Sequence, residues 1–370
     1  MILNINTYYF TSSMYKELEE QLEKNKINFR TYVPVTLNYR CRKECEGEIN
    51  KYVIVSKCLN KYDKIWFSLK HKKILMDLET KIDFNSVDFV HAYSLFSNGY
   101  IALKLYKKYG KPYIVMVQNT DINVFFKYMI HLRKLGVEIL ENASKVIFFS
   151  ETYKNFLIDN YIPNNRVCIE EKSIIIPSGI DKYWIVNKYN KKVDINKKVK
   201  LLYVGVVNKN KNVKTVIEVC KILIKKGIDI EYTIVGNIQD SKLYKTIKNT
   251  DFIKYIPYKD RKELINIYRD NDIFIMPSIN ESFGLVYLEA ISQGIPVIYT
   301  RGQGFDRQFK EGEVGFSVNP FNLYEIVDCI EKIQANYETI SNRCIEKIDE
   351  FKWENIYSKY CDLYNKLNNE

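Results

Sequence analysis

The chain has 370 residues, 46% apolar and 27% charged, a balance that excludes a disordered or fibrous protein and fits two globular domains. No window approaches the roughly 20 uninterrupted apolar residues of a membrane-spanning helix, and the opening MILNINTYYF has no basic leader, so a cytoplasmic protein is expected. The formal charge of +11 is uneven, with 33 Lys/Arg against 21 Asp/Glu in residues 1–200 and 23 against 24 in residues 201–370. A basic half suits an anionic partner (nucleic acid, an acidic lipid surface or a phosphorylated acceptor) or simply a solvated surface.

ILNINTYYF reads as a first strand, followed by the helical spacing of Met14, Leu18 and Leu22 and by the strand FRTYVPV. Of eight scattered cysteines only Cys41 and Cys45 are close, and no second Cys/His pair follows them, so reduced thiols are expected and no metal site. The stretch KCLNKYDKIWFSLKHKKIL (57–75) mixes lysines with Tyr62, Trp66 and Phe67. It suits either an amphipathic core helix with a solvated lysine face or a segment lying on an acidic membrane surface.

VDFVHAY is the next strand and puts His91 near its C-terminal end, where ligand-contacting residues occur, although a lone His is more often structural. A helix around 97–109, the turn Gly110-Lys111-Pro112 and the buried strand YIVMV follow; Gln118, Asn119 and Asp121, just beyond that strand, are candidates for donor or acceptor hydroxyls. KVIFFS and SIIIP complete this half.

The lysine-rich NKYNKKVDINKKVK (187–200) separates the halves, and removing it still leaves +7 on residues 1–186. The pattern then restarts with the strand KLLYVGVV, a helix from an N-cap at Asn212 through Lys226 to Gly227, and the strands EYTIVG and FIKYI. A helix near 260–269, the strand DIFIMP, a helix near 283–292 and the strands IPVIYT and GFSV follow. Phe351 to Leu367 reads as a closing helix. Strands alternating with helices predict α/β architecture, two doubly wound parallel sheets. The expected domains are 1–186 with the C-terminal helix 351–370, a linker 187–200, and 201–350, with a ligand cleft between them.

The chemistry concentrates in MPSINESFGLVYLEAISQGIPVIY (276–299), where a buried strand ends and a loop feeds a helix expected to hold Ser282, Phe283 and Gly284 in its first turn. The first amides of a helix lack internal partners and sit at its positive end, which makes them a diphosphate site. Gly284 would let a ligand come close to the backbone. Glu289, about 7–8 Å further along the axis, suits two ribose hydroxyls, and Glu281 would face the sugar on the other side of the diphosphate. Taken singly, Glu281 could merely stabilise a helix end and Glu289 could be a solvated surface residue; the combination favours the ligand.

ESFGLVYLE, from Glu281 to Glu289, resembles the Glu-x7-Glu signature of family 4 (group 1) glycosyltransferases with the GT-B fold, two Rossmann-like domains facing across a cleft. LYVGVVNKNKN, EYTIVG, IPSGID, PVIYTRGQGFDRQFKEGEVGFSV and FKWENIYSKYCDLY are similar to further stretches of that family, so the resemblance runs over nearly the whole chain. It implies transfer from a UDP-, GDP- or ADP-sugar with retention of anomeric configuration, no divalent metal and no other cofactor. By match, Glu281 contacts the donor sugar, Glu289 holds ribose, and the backbone from Ser282 through Leu285 to Val286 holds phosphate. Lys211 fits a family lysine on the diphosphate. The Arg expected just after Gly205 is Val206, for which Lys209 is a neighbouring substitute, and a His that often ends the YIVMV strand is Gln118. A loop often rich in glycine is Thr11-Ser12-Ser13.

The resemblance suits a lipid-linked or saccharide acceptor in capsule, O-antigen or exopolysaccharide assembly, with peripheral contact to an acidic membrane surface and no role for nucleic acid. The alternatives are a nucleotide-sugar epimerase or hydrolase on the same scaffold, a basic nucleic-acid-binding protein, and a binding-only relative.

Overall fold

The computed structural model describes residues 1–11, 14–39, 51–64, 66–190 and 198–369. The closely spaced Cys41 and Cys45, Ser12 and Ser13 of the N-terminal loop, and positions 191–197 of the lysine-rich segment lie outside the described residues. The chain divides into two compact units. The first comprises Met1–Phe149, Lys154–Pro177 and Trp353–Glu370, and the second Ser150–Tyr153 and Ser178–Lys352. The main division thus falls at Pro177/Ser178, ahead of the boundary read at 186.

The first unit is built on a seven-stranded sheet of β1 (Ile2–Ile5), β2 (Phe29–Thr36), β3 (Val53–Leu59), β4 (Phe89–Ala92), β5 (Tyr113–Met116), β6 (Lys145–Phe148) and β7 (Ser173–Ile175). The strand order is β3-β2-β1-β4-β5-β6-β7, and every pair is parallel. The short central strands β1, β4 and β5 are buried at every position, because crossover helices cover both faces and leave no polar side to alternate with. β3, absent from the strands read in the sequence, is an edge strand with mixed burial and so lacks the continuous apolar run that marks its neighbours.

The second unit repeats the plan with β8 (Val199–Val204), β9 (Ile230–Val235), β10 (Ile253–Ile256), β11 (Ile273–Ile275), β12 (Val297–Thr300) and β13 (Gly315–Val318). These pair in parallel in the order β10-β9-β8-β11-β12-β13. Both sheets reverse their winding at the first strand of the unit, and in such sheets ligands collect beyond the carboxyl ends near that reversal. In the second unit that point lies between β8 and β11, whose following loops carry Lys211 and Glu281.

Candidate functional site

Gly205 and Gly236 follow β8 and β9 with φ of 148° and 131°. A Cβ on Gly236 would lie 2.1 Å from the Gly205 carbonyl oxygen, so the two chains leave the sheet side by side only because that position is bare. Beyond Gly205 the chain makes one short turn, Lys209–Lys211, in which Asn208 Oδ1 accepts the Lys211 N–H at 3.2 Å.

This turn is stitched to the loop after β11. The Asn210 carbonyl accepts the Ile279 N–H at 2.8 Å, its Oδ1 accepts the Asn280 N–H at 3.0 Å, and its Nδ2 donates to the Asn280 carbonyl at 2.9 Å. From the other flank Gln303 Oε1 accepts the Glu281 N–H at 2.9 Å, and the Gly304 N–H donates to the Glu281 carbonyl at 2.8 Å. Backbone and neutral side-chain groups thus fix the backbone around Glu281 and leave its carboxylate for another partner. That partner is Lys211, whose Nζ donates to Glu281 Oε2 at 2.6 Å. With Glu281 8% exposed, the pair is poorly hydrated, and a charge-assisted bond there is stronger than one in open water. Asn212 stands where an N-cap was expected but has φ of 56° and caps no amide. Its Nδ2 donates instead to the carbonyls of Pro277 and Pro320 at 3.2 and 2.7 Å, which ties the same loops together.

The helix after this loop runs Leu285–Ser292, so Ser282, Phe283 and Gly284 form the turn before it and not its first turn. Gly284, with φ of 80°, interrupts the helical path. A Cβ there would lie 2.5 Å from Tyr287 Cε2, and the Tyr287 hydroxyl donates to the Met276 carbonyl at 2.6 Å. Glycine is therefore required by the tyrosine ring beneath it and by its own φ, before any ligand is considered. Phe283 is buried against Phe305 and Phe351, with centroids 6.2 Å away in each case, so its side chain anchors the turn. The N–H groups of Leu285 and Val286, first in the helix, meet no carbonyl among the described residues. Ser282 is half-buried, and its carbonyl oxygen would lie 1.6 Å from a Cβ on Gly304. Gly304→Ala is accordingly expected to cost about 3 kcal/mol of stability through overpacking, read as a lowered calorimetric Tm.

Glu289 is the fifth residue of this helix, about 6 Å along its axis from Leu285. It is half-buried, and its Oε2 accepts from the Tyr268 hydroxyl at 2.9 Å. Tyr268 is itself held edge-on by Trp184 at 5.3 Å. Loss of water around the carboxyl pushes its pKa up to about 7, against the lowering by the Tyr268 hydrogen bond, and nearby Asp181 adds a smaller rise. A raised folded-state pKa means that the folded chain keeps a proton which the unfolded chain releases, so this group's contribution to stability falls as pH rises from about 4.5 to about 7. Where the ionised carboxylate holds a ligand's hydroxyls, the ligand should bind about tenfold more weakly at pH 6 than at pH 8. A nucleotide sugar does not itself titrate in that range, and Glu289→Gln should flatten the profile.

Lys209 is exposed and makes no ion pair among the described residues. Val206 is 41% exposed, an aliphatic surface residue whose carbonyl accepts from the Tyr203 hydroxyl at 3.0 Å. The first-unit candidates lie elsewhere in the fold. His91 is wholly buried, with Nδ1 2.9 Å from the Tyr364 hydroxyl and its ring stacked on Tyr93, and burial lowers its pKa to about 3. It is a neutral core histidine that no solvent-borne ligand reaches. Asp121 is also buried; it accepts the N–H groups of Leu95, Phe96 and Gln118 at 2.9, 3.0 and 2.8 Å, which clips two loops together. Burial pushes its carboxyl up to about 6. Gln118 is half-buried and donates through Nε2 to the Tyr93 carbonyl at 3.1 Å. Among the described residues no group of three or more His, Cys, Asp or Glu is placed to hold a metal ion.

Asn210, Gln303, Gly304 and Tyr268 were not singled out in the sequence. The amide-rich NKNKN and the Gly-Gln-Gly at 302–304 are their only local signals, and what each does depends on a partner some 20 to 70 residues away.

Residues 186–350 match the family model of glycosyl transferases group 1. The chain is 25% identical to an uncharacterized glycosyltransferase of Methanocaldococcus jannaschii over 77% of either chain. It is also 25% identical to the capsular polysaccharide biosynthesis glycosyltransferase CapM of Staphylococcus aureus, over 59% of this chain and 61% of that protein. Among solved structures, HepE of Anabaena in complex with UDP superposes with a TM-score of 0.74 at 14% identity, covering 99% of each chain, a likeness of fold.

Proposed function

We infer, from the match of residues 186–350 to the model of glycosyl transferases group 1, that the chain moves a sugar from a nucleoside diphosphate to an acceptor hydroxyl with retention of configuration. The observation that carries this reading is the Lys211–Glu281 pair at 2.6 Å beside the two unpaired helix amides, with Glu289 further along the same helix. In the proposed step the bond between the sugar's anomeric carbon and the diphosphate oxygen breaks, and a bond from that carbon to the acceptor oxygen forms on the same face. The acceptor's proton passes to the departing phosphate oxygen. The leaving diphosphate gains negative charge as this happens. In this reading the Leu285 and Val286 amides, the positive end of their helix and the Lys211 ammonium would meet it. Glu281 would face the sugar and Glu289 the ribose hydroxyls, and the step as drawn uses no metal ion.

The donor is proposed to be a UDP-, GDP- or ADP-sugar; that HepE was solved with UDP makes uridine the first base to try. The kinship with CapM supports a place in cell-surface polysaccharide assembly, with a lipid-linked or saccharide acceptor. Among the described residues no helix is long and apolar enough to cross a membrane, and we place the reaction in the cytoplasm, where nucleotide sugars are made.

Thermal unfolding against a panel of nucleotide sugars tests the donor. A bound donor at a hundred times its Kd stabilises by about 2.7 kcal/mol, several degrees in Tm. If none of them raises Tm, the reading fails. If a donor binds and its free sugar is merely released or epimerised, with no glycoside formed on any acceptor, the chain is a hydrolase or epimerase.

A further inference from the structure

The first unit presents a face that the sugar-transfer reading leaves unused. The helix Phe67–Glu79 buries His71, Ile74 and Leu78, yet its outward half is not simply polar. Trp66 at its N-cap is 68% exposed, Leu69 46% and Met76 59%. Beside it opens a cavity of about 600 Å³, walled by Phe67, Leu69, Phe125, Met129 and Leu132, beyond the carboxyl ends of β4 and β5. The segment forming the far wall holds out Tyr128 and Ile130, 69% and 65% exposed.

The unpaired charge on these two segments has one sign. Lys61, Lys72, Lys127 and Lys134 are exposed and make no ion pair among the described residues. The acids on and beside them are already spent: Asp77 accepts from the Tyr32 hydroxyl at 2.6 Å and from that of Ser56, and Glu79 is bonded to Lys108 at 2.7 Å. Asp63 is 5% exposed and bonded to Lys73 at 2.7 Å, and Asp121 is buried among backbone amides.

An exposed apolar group of this kind marks an interaction surface, and its composition selects the partner. Protein interfaces are depleted in lysine. Nucleic acid could stack on Trp66 and Tyr128 but gains nothing from Leu69, Met76 or Ile130. A bilayer surface uses all of them: aliphatic side chains and Trp enter the acyl boundary while lysines reach the lipid phosphates. We propose that this face seats on an anionic lipid bilayer, with Trp66 and Leu69 in the acyl boundary and a lipid chain entering the cavity behind them. The proposal does not depend on the sugar-transfer reading.

Of the three tryptophans, Trp184 and Trp353 are 3% and 4% exposed, so Trp66 is the one whose emission a bilayer can change. The full chain is mixed with vesicles of phosphatidylcholine alone or with added phosphatidylglycerol, some with brominated acyl chains, and then sedimented. The expected result is pelleting with the anionic vesicles, a blue shift and bromine quenching that vanish in Trp66→Phe, and partitioning at least tenfold lower in Trp66→Ala/Leu69→Asp. Lys72→Glu and Lys127→Glu should each weaken partitioning about fivefold or more, and salt should do the same to the parent. These positions are exposed, so unchanged thermal unfolding of the variants shows that the fold is retained. The proposal is overturned if the parent stays in the supernatant, if it pellets without quenching of Trp66, or if the double variant binds like the parent. Quenching of Trp66 by single-stranded oligonucleotides, with no vesicle binding, would assign the face to nucleic acid instead.

Discussion

Glu281→Ala is expected to lower kcat by about a hundred- to a thousandfold while the KM for donor changes less than about threefold. The range is that of removing one preorganised group from a site where charge develops. In the proposed geometry Glu281 acts at the sugar as the anomeric bond breaks, and it also holds the Lys211 ammonium 2.6 Å away, at the position from which the lysine meets the leaving diphosphate. Most of the loss should therefore appear in the transition state and little in ground-state binding. Because the two residues share one interaction, Lys211→Ala should cost a similar factor, and the double variant far less than the product of the two. Steady-state and single-turnover kinetics on the four proteins supply the cycle. Parent-like kcat in Glu281→Ala, or strict additivity with Lys211→Ala, would remove the pair from the mechanism.

Glu289→Ala should act in the opposite sense, raising the Kd of a nucleoside diphosphate about thirtyfold with a smaller effect on turnover at saturation. Hydrogen bonds to a charged carboxylate are worth about 1.5–3 kcal/mol each, and water recovers part of two such bonds when the carboxylate is removed. A net loss of about 2 kcal/mol is that thirtyfold change. Calorimetric titration of the nucleotide into both proteins measures it directly. Tyr268→Phe is the useful companion, because the hydroxyl bond at 2.9 Å orients the Glu289 carboxylate without being a ligand contact itself. Its effect should be smaller and should shift the pH at which affinity rises. If Glu289→Ala bound the nucleotide as tightly as the parent, the ribose assignment would fall while Glu281 could still stand.

What could be read ahead of the fold was whatever local pattern encodes. Continuous β-branched runs such as YIVMV and KLLYVGVV belong to strands covered on both faces, so β5 and β8 were visible as strands from composition alone. Gly227, with φ of 87°, ends its helix where the sequence placed the end, because few residues other than glycine adopt that conformation cheaply. The stretch 276–299 was conspicuous for a similarly local reason: at its start a buried strand ends, the chain breaks and a helix follows.

The sequence alone therefore determined the two doubly wound sheets and the segment in which the chemistry is proposed to lie, since strand and helix periodicities and chain-breaking residues act over a few positions. The tertiary structure decided that Lys211 meets Glu281, that Gln303 and Asn210 grip the loop between them, and that Gly284 makes room for Tyr287. It likewise turned His91 into the core, against a tyrosine 273 residues away, although its strand-end position suggested a ligand. Each of these depends on how distant elements pack, and local spacing carries no information about which side chain will arrive from the far end of the chain.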